Sequence, residues 1–98
     1  LSCLRSYHDF NTAVAYVGLD RNQSALEILT GLERTAEVNY LLSIIYSRLG
    51  NEQQAVTNYL EACRQNRSFI HRGNLDPEIS SLIKLYGLNR ILEEEIEN

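Results

Sequence analysis

Residues 39–62, NYLLSIIYSRLGNEQQAVTNYLEA, decide the fold of this 98-residue chain. Leu42, Ile45, Tyr46 and Leu49 recur at i, i+3, i+4 and i+7, the spacing that places side chains on one face of a helix, and Gly50 interrupts the run. A second amphipathic run follows almost at once, with Ala55, Tyr59, Ala62 and Cys63 on its apolar side. Helices joined by so short a connection must fold back on each other, and the small residues Ala55 and Ala62 let the two backbones approach.

Working outward, a helix is readable over residues 7–19, with Phe10, Val14 and Val17 along one side and Ala13 and Tyr16 along another. Two apolar sides predict cover on both. Asp20-Arg21-Asn22 reads as a turn, and residues 24–32 as a partner helix through Ala25, Ile28, Leu29 and Leu32, with Gly31 close to its end. Aligning Ala25 with Ala55 brings Ala13 and Tyr16 opposite Ser43 and Tyr46, and Leu29 opposite Tyr59. The first hairpin is therefore a second copy, offset by 30 residues. Residues 1–6 read either as the last turn of a preceding helix or as a frayed end.

Beyond Asn66, residues 67–74 read as a polar connection. Asp76-Pro77-Glu78 then predicts a helix start: Asp76 accepts from orphan backbone N–H groups, Pro77 needs no such bond at the first position, and Glu78 suits the positive helix end. Ile79, Leu82, Ile83 and Tyr86 give this helix an apolar stripe, and Gly87 a left-handed stop. Asn89 is placed to cap a last short helix carrying Ile91, Leu92 and Ile96, whose glutamates oppose the helix dipole and predict a frayed end.

The central hairpin resembles a tetratricopeptide repeat. Leu42, Tyr46, Gly50, Ala55, Tyr59 and Ala62 match that family's succession of large, aromatic, glycine, small, aromatic and small positions. The resemblance implies an all-α fold of antiparallel helical hairpins stacked as a right-handed α-α superhelix: a first repeat over residues 7–34, a second over 36–67, and capping helices over 76–96, all in a single domain that reads as a piece of a larger protein. The 30-residue offset against the family's period of 34 predicts that the first copy's second helix or its exit loop is shortened by about a turn. That copy also has Asp20 in place of Gly50 and Thr12 in place of Leu42, while the second has Arg67 where a proline usually closes the repeat and Glu52 where an aromatic is common.

In that family the first helix of each hairpin lines a concave groove that receives a peptide or another protein's helix. Matching positions here are Tyr7, Phe10, Asn11, Val14 and Val17 in the first copy, and Glu37, Tyr40, Leu41, Ile44, Ser47 and Arg48 in the second. The resemblance thus implies an apolar peptide-binding face. Members that hold chaperone carboxylate tails use lysine, arginine and asparagine in the groove; Val14 and Ile44 at the equivalent places, with only Asn11 of the right type, argue against that role. Two alternatives stay open: the chain closes the end of a longer repeat array with its groove self-covered, or it dimerises through the same face.

Composition narrows the rest. Hydrophobic residues at 44% and charged residues at 22% are ordinary globular values. Arg90 and four glutamates in the tail contribute −3 of the net charge of −4, leaving a nearly neutral body with no basic face for nucleic acid beyond Arg64, Arg67, His71 and Arg72. No stretch of about 18 apolar residues occurs, so nothing inserts directly into a membrane. The compartment stays open between cytoplasm and bacterial periplasm or cell envelope.

Cys3 and Cys63 lack metal spacing and read as two small thiols, with a single bridge between them left open. His8 and His71 stand alone, and the acceptor-type triplets at Asn22 and Asn66 carry weight only in a secretory pathway. No phosphate cradle, nucleophile elbow or HExxH is present, and the glutamates of the tail are too solvated for acid/base work. Neither an enzyme nor a cofactor is expected.

Overall fold

A computed structural model describes the backbone of residues 2–97 and the side chains of residues 9–95. The readings that concern Leu1 and the side chains of Cys3, Leu4, Tyr7, His8 and Ile96 lie outside the described residues. Seven helices follow one another: α1 Ser2–Gly18, α2 Asn22–Thr30, α3 Ala36–Arg48, α4 Glu52–Gln65, α5 Ser68–Leu75, α6 Pro77–Tyr86 and α7 Leu88–Glu97. They stack in antiparallel pairs, and no strand occurs among the described residues. None of these helices is long and apolar enough to cross a membrane.

The central pair forms for local reasons. Thr35 opens α3 by accepting from the Val38 N–H at 3.3 Å, and Asn51 opens α4 by accepting from the Gln54 N–H at 3.3 Å. Between them Gly50 adopts the left-handed φ of 83° that turns the chain back. The two helices approach closely because Ala55 and Ala62 are fully buried at the contact, where the Ser43 hydroxyl donates to the Ala55 carbonyl at 2.7 Å.

The first pair repeats that turn. Asp20 takes a φ of 63°, the same left-handed region as Gly50. The Arg21 N–H donates to the Tyr16 carbonyl at 2.8 Å, as the Asn51 N–H does to Tyr46 at 2.8 Å, 30 residues later. Aspartate tolerates this conformation better than most residues, and its carboxylate accepts from the Asn22 amide at 3.4 Å. Ala13 and Ser43, Ala25 and Ala55, and Leu29 and Tyr59 are buried in corresponding places. The helix α2 has 9 residues against 14 in α4.

Two local expectations are corrected. Residues 67–74 are not a polar connection, since Ser68–Leu75 is helical. The Asn66 carboxamide oxygen accepts from the Ser68 N–H and hydroxyl at 3.0 and 2.8 Å, and Phe69 and Gly73, one turn apart, bury the helix against α4. The last helix starts at Leu88 without a cap from Asn89, whose amide exchanges hydrogen bonds with Asn74 at 2.9 and 3.1 Å instead. Its end is held as far as Glu95, which pairs with Arg64 at 2.7 Å. The start of α6 is as the sequence predicts: Asp76 accepts from the Glu78 N–H at 3.1 Å, Pro77 fills the first turn, and Gly87 stops the helix at a φ of 62°.

Two apolar clusters result, both touching Tyr46. One joins Ala13, Ala25, Leu29, Val38, Leu41, Leu42 and Ile45 across the first and second pairs. The other seats α5, α6 and α7 on the second pair through Tyr40, Ile44, Tyr59, Phe69, Ile79, Leu82, Ile83, Leu88 and Leu92.

Candidate protein-interaction face

The groove positions of the second copy are occupied by the chain's own next helices. Tyr40 is 1% exposed, and its ring meets Phe69 at 5.1 Å between centroids while the Arg72 guanidinium lies 4.8 Å from the ring centre. Its hydroxyl donates to Asp76 at 3.0 Å, and burial, reinforced by this carboxylate, drives its titration upward. Ile44, 7% exposed, lies in one cluster with Ile79, Leu82 and Ile83 of α6. Glu37 pairs with Arg72 at 3.3 Å.

Arg48 completes the closure. Its Nε and Nη2 donate to the two Glu78 oxygens at 2.8 and 2.7 Å, a bidentate pair at the start of α6. The remaining Nη1 donates to the Val17 carbonyl at 2.8 Å and to Asn22 at 3.1 Å, at the turn of the first hairpin. A single guanidinium thus ties the first hairpin to the second and to the helix that covers it.

The expectation that Tyr40, Leu41 and Ile44 line an open face therefore does not describe this structure. Tyr40 and Ile44 lie beneath α5 and α6, and Leu41 is buried in the other cluster, against the first pair. Ser47 is half-buried beside them. Chain connectivity supplies the reason: α5 and α6 bring apolar residues and two acids, Asp76 and Glu78, to partners that would otherwise face water.

The first copy differs. Phe10 and Val17 are half-buried on the first cluster, while Asn11 is exposed and Val14 is 43% exposed. Leu19, 67% exposed, adds an apolar side chain at the adjoining turn that the groove positions did not include. Phe69, Arg72, Asp76 and Glu78 were likewise absent from the expected site. The first two sit in the segment read as a connection, and the acids were read only as a helix start.

The Arg48–Glu78 pair makes acid stability testable. Hydrogen bonding from Arg48 holds the Glu78 carboxyl below its ordinary value of 4.5. A lowered folded-state value contributes stability above the unfolded value and loses it as pH falls through the folded one. Thermal melts from about pH 7 down to about pH 3 should therefore show Glu78→Gln with lower stability at neutral pH and a shallower decline below 4.5 than the parent. Parallel profiles would mean that the pair does not form in solution.

No family model and no solved structure matches the chain. The chain is similar to anaphase-promoting complex subunit 7 of Homo sapiens, with 34% identity over 59 residues, covering 57% of this chain and 10% of that protein. The chain thus spans about a tenth of that relative's length. Among the described residues no group of three or more histidine, cysteine or acidic side chains could hold a metal ion.

Proposed function

We propose that the chain is a tetratricopeptide-like protein-interaction repeat without catalytic activity, in which partner contact falls on the first hairpin because the second is closed by the chain itself. The observation that carries this reading is the contrast at matched positions: Val14 is 43% exposed where Ile44 is 7% exposed. Exposed apolar side chains grouped on one face mark interaction surfaces. Phe10, Asn11, Val14 and Val17 form that face, with Tyr7 expected beside them; Glu37, Tyr40, Leu41, Ile44, Ser47 and Arg48 serve the self-covered part. The similar human protein is by name a subunit of a complex, which accords with a role in assembly. On this reading residues 7–34 and 36–67 are two repeats and residues 76–96 are their cap.

Quantitative affinity capture of the chain and of Val14→Asp tests the proposal. Because Val14 is partly exposed, the variant should melt within a few degrees of the parent and recover the parent's bound proteins at least about tenfold less, as befits loss of an interface anchor. A Leu85→Asp control, at a side chain that is exposed on the outer face of α6, should leave recovery unchanged. Equal recovery with Val14→Asp would remove the first-hairpin assignment and leave the array-end reading, in which this face only packs against a neighbouring repeat. Sedimentation at two concentrations separates both from a homodimer.

A further inference from the structure

Away from Arg48, the C-terminal end of α4, α5 and α7 border a half-open cleft of about 190 Å³ lined by Cys63, Arg64, Arg67, Ile70, Leu92 and Glu95. Its apolar surface comes from Cys63 and Leu92, both buried, and from half-buried Ile70. Its rim is charged unequally. Arg64 is committed: its Nε and Nη2 donate to Glu95 at 3.1 and 2.7 Å, and it also meets Glu61 at 3.6 Å. Arg67 is exposed, and among the described residues its side chain makes no ion pair or hydrogen bond. Arg48, Arg64, Arg72 and Arg90, in contrast, each hold a carboxylate.

We propose that this cleft binds a small aliphatic monocarboxylate, its tail against Cys63, Ile70 and Leu92 and its carboxylate on the Arg67 guanidinium. Three features select that ligand. Arg64 is matched by Glu95 and Glu61, which leaves Arg67 as the rim's uncommitted cation for a monoanion, while Glu95 disfavours a phosphate dianion. The lining joins an apolar floor of Cys63, Ile70 and Leu92 to a charged rim of Arg64, Arg67 and Glu95, a combination that can seat a small amphiphilic ligand. The volume of about 190 Å³ accommodates a short chain. Arg67 is suited to the head group because its planar fork meets both carboxylate oxygens. The inference is independent of the partner-binding face, since the two share no residue.

Backbone amide chemical shifts of the 98-residue chain, titrated with hexanoate, test it. Signals of Cys63, Arg67, Ile70 and Leu92 should move together with a Kd on the order of 1 mM, as expected for so small a ligand. Hexanamide, which keeps the shape and lacks the charge, should bind at least fivefold more weakly, and Arg67→Gln should weaken hexanoate by a similar factor. Arg67 is exposed, so that variant should retain the fold. Absence of saturable shifts, equal binding of hexanamide, indifference to Arg67→Gln, or tighter binding of hexyl phosphate than of hexanoate would each overturn the proposal.

Discussion

Ile44→Asp is expected to destabilise the chain by more than about 3 kcal/mol, a large fraction of a small domain's total stability. Ile44 lies within the cluster formed with Tyr40, Ile79, Leu82 and Ile83, so an aspartate there loses the apolar contacts and buries a carboxylate. Arg48 stands one turn along α3 and could turn toward the new charge. To do so it would have to release Glu78, which it holds at 2.7 and 2.8 Å, and the two Val17 and Asn22 contacts. Urea unfolding monitored by circular dichroism gives the comparison. Ile44→Val should cost about 0.5–1.5 kcal/mol, and Val14→Asp, at the matched position of the first copy, less than about 1 kcal/mol. If Ile44→Asp and Val14→Asp cost the same, α6 does not cover α3 in solution.

That asymmetry was only half legible in the sequence. Periodicity marks which residues of a helix are apolar, and so it placed Leu42, Ile45, Ala55 and Tyr59 in the core, where they lie. It cannot say which of two apolar faces is covered by a neighbour distant in sequence. Tyr40 and Phe10 carry the same kind of side chain at matched positions, yet only Tyr40 receives Asp76, Phe69 and Arg72. The cover came from a segment whose helical signal was weak. In Ser68–Leu75 only Phe69 and Gly73 are buried, and a glycine contributes nothing to an apolar pattern. The turn at Asp20 is legible as a turn, but its likeness to the turn at Gly50 is not, because the residue type differs where the backbone conformation does not. Capping chemistry, by contrast, is local, and the Asp76-Pro77-Glu78 start and the Gly87 stop stand where the sequence put them.

Gly73→Ala is the second substitution with a large expected effect, and its sign is diagnostic. In the interior of an exposed helix, alanine in place of glycine stabilises by about 1 kcal/mol. Here an added Cβ would stand 2.6 Å from both Cε1 and the hydroxyl of Tyr59, and 2.9 Å from Cζ. Tyr59 is fully buried beneath Tyr40 and cannot swing aside, so α5 must lift from α4 or the ring must leave its position. A net loss of about 2 kcal/mol is expected, typical of an overpacked core. The Tyr59 hydroxyl is buried without a hydrogen-bond partner; burial first, and the Cys63 thiol second, push its titration upward. The thiol is too weak an acceptor to satisfy it. Tyr59→Phe should therefore change stability by less than about 1 kcal/mol, since it removes a group that gains nothing from its position. In a Tyr59→Leu background the ring is gone, and Gly73→Ala should recover at least about 0.5 kcal/mol of its cost, the coupling expected of residues in contact. A stabilising Gly73→Ala would show that α5 does not press on Tyr59. Arg72 and Asp76 would then lose the support that sets them over Tyr40, and the second copy's groove would be open to a partner. On the proposed function, the same glycine that fixes α5 thus decides whether one hairpin or two would be open to a partner.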